Sequence, residues 1–271
     1  MRRGSLWAWF WIGLGALYFL LPLVGTLDFS LRKLRGVLSL AAYRDVLRDP
    51  QFAQTFLFSN QMAVLTIIAS MLLIVPTAYW VHLRVPQARS IVEFISLLPF
   101  VIPAIVLVFG MIKIFSRPLP SPAFPLIRPL TNNVLGTNAL LVAGYVVLSL
   151  PYMYRAVDTG LRAIDVRTLT EAAQSLGAGW PRILWNVIFP NLRTALLSGA
   201  LLTFAIVVGE LTLANFLDRP AFGPYLFLLG QHQAYEPAAL SVVSFALTWA
   251  AMGIIQFVSR GGPQAQVAGA H

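Results

Sequence analysis

Six apolar runs limit what this chain can fold into. They cover residues 7–27, 56–81, 91–114, 135–154, 195–216 and 238–258, and about twenty predominantly apolar residues are enough for a helix to cross a hydrocarbon core. The runs are continuous rather than alternating, which argues against the strands of a membrane barrel. The chain is 271 residues long, 58% hydrophobic and only 11% charged, whereas a soluble domain is about a quarter charged. Polar surface is therefore too scarce to cover such a core in water, and the expected class is an all-α integral membrane protein. The first run follows Met1-Arg2-Arg3-Gly4-Ser5. It is too long for the apolar region of a signal peptide and no small-x-small site closes it, so it reads as a retained first membrane helix.

Between the runs the chain changes character. Four regions are expected: a first transmembrane helix at 1–27, an amphipathic segment at 28–55, a five-helix core at 56–258 and a flexible tail at 259–271. The second region holds Arg32, Lys33, Arg35, Arg44 and Arg48 and suits a short helix at a membrane surface. Pro118, Pro120, Pro122, Pro125 and Pro129 exclude a regular helix between the third and fourth runs. Pro99 and Pro103 interrupt the third run itself, where they either kink a single span into a hinge or are absorbed by its neighbours.

Charge and cysteine content exclude several functions. The net charge is +9, but the basic residues are scattered between apolar runs and form no dense arm, so nucleic-acid binding is not expected. Counting basic residues by loop leaves the two sides of the membrane nearly balanced and does not fix the orientation. The absence of cysteine removes disulfides, thiolate nucleophiles and Cys-based zinc sites. His82, His232 and His271 lie far apart in the sequence, with no ligand partner at helical spacing, so no metal site is expected.

The most informative polar stretch is I-D-V-R-T-L-T-E-A-A-Q-S-L-G-A-G-W-P-R-I-L-W-N-V-I-F-P, residues 164–190. Asp165 is suited to cap a helix, because its carboxylate can accept from free backbone N–H groups. Val166, Leu169, Ala172, Ala173 and Leu176 are expected on one face, with Arg167, Thr170, Glu171 and Gln174 mostly elsewhere. Gly177 can take the left-handed conformation that ends a helix, and Pro181 suits the first turn of the next. Pro190 limits that second helix. The result is a helix, a glycine elbow and a second helix lying across the membrane face, either a dock for a soluble partner or a surface helix that tidies a loop.

The triplet Glu171-Ala172-Ala173, with Gly177 four positions after Ala173 and Pro190 thirteen after Gly177, resembles the EAA motif of binding-protein-dependent ABC importer permeases. Val187 and Phe189 stand where that family usually has Ile and Leu. The resemblance implies a six-transmembrane-helix permease fold with cytoplasmic coupling helices, in the bacterial inner membrane, with both termini cytoplasmic and 28–55 external. Asp165, Glu171, Ala172, Ala173, Gly177 and Pro190 would then form the ATPase-coupling site. The implied partners are two ATP-binding cassette subunits, a second and different permease chain, an extracytoplasmic substrate-binding protein and membrane lipid. ATP and magnesium would belong to the partner ATPase, since the sequence has no G-x-x-x-x-G-K-[ST] segment to cradle phosphates. The chain would be a transport subunit and not an enzyme.

Within the fifth run, Glu210 is costly unless it faces a cavity or a partner. It reads either as a pathway or gate residue, with Thr212 and Asp218 nearby, or as a buried structural pair. A secondary transporter would show inverted repeats and more intramembrane charge, and a membrane enzyme a cluster of catalytic groups; neither is visible. For cargo, length and the Gly-Glu-Leu-Thr-Leu-Ala stretch at 209–214 resemble the spermidine/putrescine-type permeases most. Related systems carry thiamine, ferric iron, sulfate, molybdate or phosphonates.

Overall fold

The computed structural model describes residues 3–34, 36–116 and 129–260. Pro118, Pro120, Pro122 and Pro125, and all of the expected tail beyond Arg260, lie outside the described residues. Within them the chain is helical: α1 (Arg3–Ser30), α2 (Ala41–Arg48), α3 (Pro50–Arg84), α4 (Arg89–Val101), α5 (Ala104–Phe115), α6 (Val134–Arg162), α7 (Val166–Ser175), α8 (Trp180–Ile183), α9 (Phe189–Asn191), α10 (Arg193–Gly209), α11 (Thr212–Phe216), α12 (Phe222–His232) and α13 (Glu236–Arg260). Three helices are long and apolar enough to cross a membrane, and up to five if each of two bent pairs counts as one span. The sixth expected run, 238–258, lies within α13.

Contacts divide the chain into two compact units. One comprises the chain through Gln54 plus Tyr225–Ala251; the other runs from Thr55 to Pro224 and takes the rest of the last helix.

In the first unit, α1 is apolar all round and none of its most apolar window is buried by protein. Such a helix is stable only where lipid covers it. The short amphipathic helix expected between 28 and 55 is α2. Its Ala42 and Val46 are buried, while Arg44, Asp45 and Arg48 point outward. A polar clasp holds this end together. Lys33 bonds both Asp45 and Glu236 at the start of α13, Tyr43 meets Ser30 at 2.6 Å, and Tyr225 donates to Asp49 at 2.6 Å.

In the second unit α6 is the central element and packs most closely on α10. Small residues allow this approach. A Cβ on Gly160 would lie 2.6 Å from Ala195 Cβ, and one on Gly199 would lie 2.7 Å from Met153 Sδ. Lipid supplies no hydrophobic drive between helices, so close van der Waals contact of this kind has to hold the pair.

The third run departs from the single kinked span that was one expectation. It is two helices, α4 and α5, bent by 100°. The cause lies at Pro103, which is extended (φ −58°, ψ 139°) and follows an extended Ile102 (φ −87°, ψ 115°). Proline disfavours helical geometry in the residue before it and cannot donate its own N–H, so the break falls there. Pro76, Pro99 and Pro151 by contrast stay inside their helices. The fourth run also differs: expected to end at 154, its helix continues to Arg162.

The α6–α10 contact yields a stability prediction. Gly160→Val should force the two helices apart at a cost of about 1–3 kcal/mol and lower the thermal midpoint of the detergent-solubilised protein. Gly13→Val, where an added Cβ meets nothing within 4 Å, should leave it unchanged.

Candidate functional site

The segment after α6 folds as the sequence suggests, with two revisions. Asp165 caps α7: one carboxylate oxygen accepts from the Thr168 amide at 3.1 Å and the other from the Thr168 hydroxyl at 2.7 Å. These bonds hold its carboxyl below the usual carboxylate range. At the other end Gly177 is left-handed, with φ 77°. The Gly177 amide donates to the Gln174 carbonyl at 2.8 Å and the Ala178 amide to the Ala173 carbonyl at 3.0 Å. This pair of reversed bonds closes the free carbonyls of the helix end and turns the chain sharply.

The buried stripe of α7 is Val166, Thr170 and Ala173, not the stripe running through Leu169, Ala172 and Leu176. At 100° per residue Leu176 sits about 80° round from Val166, and it is 89% exposed. Thr170, expected outside, is buried. It donates to the Val166 carbonyl at 2.7 Å and meets the Tyr79 hydroxyl at 2.9 Å. That polar pairing is what lets a threonine occupy a core position. Val166 and Ala173 join one core with Tyr79 of α3, Val157 and Leu161 of α6, and Leu196 of α10.

The opposite face is free. Glu171 is exposed and pairs with Arg167 at 3.1 Å, Ala172 is exposed beside it, and Leu176 projects at the elbow. The second arm carries an exposed Trp185 stacked on the half-buried Phe189, with centroids 4.7 Å apart. Pro190 cannot donate to the carbonyl four residues back, and the turn before it, Leu184–Ile188, is widened to π geometry. The chain then bends by 78° into α10. Of the six expected coupling residues, Ala173 faces the bundle, Asp165 caps the helix, and Glu171, Ala172 and Gly177 line the outer side; Pro190 lies apart in the second arm. The arms are fixed to α3 by a stack in which Trp180 meets Trp80 at 4.7 Å and the Arg84 guanidinium lies 5.6 Å from the Trp180 ring.

Glu210 sits at a helix break and not in a continuous span. It is extended (φ −75°, ψ 129°) after Gly209, and its carboxylate folds back onto the start of α11. It accepts from the amides of Thr212 at 2.6 Å, Leu213 at 2.9 Å and Ala214 at 3.3 Å. Tyr145 of α6 hydrogen-bonds it as well. Free N–H groups at a helix start are natural partners for a carboxylate, so the charge is satisfied inside the chain. Gly223 leaves room for this corner, since a Cβ there would lie 2.3 Å from the Glu210 carbonyl oxygen. Thr212 therefore meets Glu210 through its backbone. Asp218 closes the far end of α11 in the left-handed region, with φ 52°.

None of these three lines the cavity described in this unit. That cavity, about 590 Å³, lies between α4, α6 and the α9–α10 corner. Tyr152, Arg155 and Thr159 line it from α6, Asn191, Thr194 and Ser198 from the opposite wall, and Leu97 and Phe100 from α4. The first row follows i, i+3, i+7 spacing on α6, whereas the second crosses the bend, with Asn191 at the end of α9 and Thr194 and Ser198 one turn apart on α10. The signal was present in the sequence, but it straddles the ends of the apolar runs: the first row crosses the end of the fourth run at 154, beyond which the polar stretch reads as helical, and the second crosses the start of the fifth at 195.

The geometry of Glu210 can be tested directly. Glu210→Ala should leave the first amides of α11 without acceptors, destabilise the protein by about 1–2 kcal/mol and speed hydrogen exchange at residues 212–214. Exchange no faster than in the unaltered protein would contradict a capping role.

Comparison with known proteins agrees with this architecture. Over 97% of both chains, the structure superposes with a TM-score of 0.71 and 15% identity on a bacterial ABC transporter involved in the import of the acidic polysaccharide alginate. In sequence the chain is 27% identical over 174 residues to the spermidine/putrescine transport system permease protein PotB of Haemophilus influenzae, covering 62% of this chain and 60% of that one. It is 27% identical to the ferric transport system permease protein FbpB of Actinobacillus pleuropneumoniae, over 62% of this chain and 22% of that one. It is 33% identical to the methionine import system permease protein MetP of Bacillus subtilis, over 37% of this chain and 45% of that one. The matches span from 22% to 60% of the length of these curated relatives. Residues 74–260 match the family of binding-protein-dependent transport system inner membrane components, and the chain belongs to that family.

Proposed function

We propose that this chain is the permease subunit of an ATP-driven importer, forming half of a translocation pathway and coupling it to a separate ATPase. The observation that carries this reading is the two-sided elbow. One side of α7 is buried in the bundle core, while Glu171, Ala172, Leu176 and Gly177 stand free on the other. Such a unit can receive a force from a soluble partner and deliver it to the membrane helices. The partners on this reading are two ATP-binding cassette subunits, which bind ATP and magnesium, a second and homologous permease chain, and an external substrate-binding protein. The elbow then faces the cytoplasm of a bacterial inner membrane, 28–55 lies outside, and both termini lie inside. The chain itself performs no catalysis.

The pathway follows from the cavity. We assign its inner part to the polar rows of Tyr152, Arg155 and Thr159, and of Asn191, Thr194 and Ser198. Glu210, Thr212 and Asp218 keep an indirect role, shaping the broken helix beside Tyr145. For cargo we favour a polyamine, supported by the 209–214 stretch and by the spermidine/putrescine permeases among the relatives. The same set includes permeases named for ferric, methionine and sulfate transport. The cavity lining has Arg155 and no carboxylate, so the polyamine reading rests on likeness and not on cavity charge. Thiamine, ferric iron, sulfate, molybdate and phosphonates are the alternatives.

Two substitutions test the coupling role in the reconstituted complex. Gly177→Val places a β-branched residue in left-handed geometry, at a cost of about 1–2 kcal/mol, and should lower ATP-driven uptake while ATP hydrolysis continues. Leu176→Asp leaves the fold intact, because the side chain touches no core, and should reduce co-purification of the ATPase. Normal uptake and normal ATPase recovery in both variants would refute the assignment.

A further inference from the structure

One buried charge in the second unit has no part in the elbow, the helix break or the cavity lining. Asp158 of α6 has only 8% of its side chain exposed. Three cationic or donor groups converge on it from three elements. His82 Nε2, near the end of α3, lies 2.8 Å from one carboxylate oxygen. Arg89, the first residue of α4, reaches the other at 3.1 Å. Arg162, one turn further along α6, reaches that same oxygen through Nε at 2.9 Å and Nη2 at 2.5 Å. A buried carboxylate needs such a full set of partners, and its bonds then fix the relative position of the groups that make them.

The elements joined here are the ones that surround the coupling unit. His82 follows Tyr79 by three residues on α3, and Tyr79 is the residue that holds Thr170 of α7. Val157 and Leu161 flank Asp158 on α6 and pack in the core that takes Val166 and Ala173 of α7. Arg89 differs from the other two partners in where it leads. It opens α4, the helix that supplies Leu97 and Phe100 to the cavity wall. The bond to Asp158 is the only hydrogen bond its side chain makes among the described residues, and its Nε is buried without a partner.

We infer that Asp158 is a positioning residue for transport: it ties the start of α4, and through it the Leu97–Phe100 wall of the cavity, to the α3–α6 core that carries the coupling elbow. The inference rests on the proposed permease function for its consequence, but the tie itself can be measured without transport. Arg89 is the arm that crosses to α4, whereas Arg162 stays within α6. Loss of the first should free the wall, and loss of the second should not. A role confined to balancing buried charge would make the two losses equivalent.

The chain has no cysteine, so it can carry a single label pair at Gln174→Cys on the outer face of α7 and at Leu97→Cys on the wall, in a complex whose partner subunits are made cysteine-free. The complete complex in lipid nanodiscs is examined by pulsed electron–electron resonance, without nucleotide and with Mg-ATP. The parent pair should give a single narrow distance at rest. Arg89→Gln and Asp158→Asn should replace it with a broad or divided distribution; Arg162→Gln and Asp158→Glu should keep it narrow. Should Asp158→Asn fail to assemble, Arg89→Gln against Arg162→Gln still decides. A narrow distance in Arg89→Gln, or equal broadening in Arg89→Gln and Arg162→Gln, overturns the inference. ATP-driven uptake by the parent complex judges the permease reading separately: its absence would sink that reading, while the resting distances still judge the tie.

Discussion

The structure depends on the burial of one narrow stripe of a polar helix. Val166, Thr170 and Ala173 carry α7 into a core shared with α3, α6 and α10. Without that contact a ten-residue helix rich in polar side chains would be marginal in water and too polar to enter lipid. With it, α7 is part of the bundle. The Tyr79–Thr170 bond and the Trp80–Trp180 stack add direction, since both fasten the elbow to the last turns of α3. Interfaces packed in this way switch between discrete arrangements and do not deform smoothly, which is what a mechanical link requires.

A second constraint acts inside the membrane. Every backbone polar group there must be satisfied by protein, so an interrupted helix is tolerated only where something closes the break. Two interruptions illustrate it. At Pro103 the chain turns through extended residues and α5 restarts at once, the amides of Val106 and Leu107 bonding back to the Pro103 carbonyl. At Glu210 the side chain does the same work, with its carboxylate on the amides of α11 and Tyr145 interacting with it from α6. An intramembrane carboxylate marks a functional position by default; here a structural task accounts for its charge.

The sequence made local features legible and long-range ones obscure. The Asp165 cap and the Gly177 elbow depend on neighbours within a few residues, and both stand where they were expected. The stripe of α7 was misplaced because Leu169, Ala172 and Leu176 are apolar and properly spaced, while Thr170 looks polar until Tyr79, 91 positions away, is brought against it. Likewise Glu210 stayed open between a gate residue and a buried structural pair, because its acceptor capacity is used by the chain's own amides, which hydropathy does not register. The break at Pro103 was half legible: proline announced an interruption, but not a 100° turn. Asp158 left almost no trace, since His82 and Arg89 lie 76 and 69 positions from it, and only its spacing to Arg162 is local.

The central claim is that the free side of the elbow touches a nucleotide-hydrolysing partner while the other side belongs to the bundle. Site-specific photo-cross-linking in intact cells tests it most directly, with the cross-linking amino acid placed in turn at Leu176 and at Ala173. The expected result is an adduct from Leu176 to an ATP-binding subunit and none from Ala173, whose environment is this chain's own core. Failure of Leu176 to capture such a subunit, together with labelling of a Leu176→Cys variant by a membrane-impermeant maleimide from outside the cell, would contradict both the coupling role and the orientation.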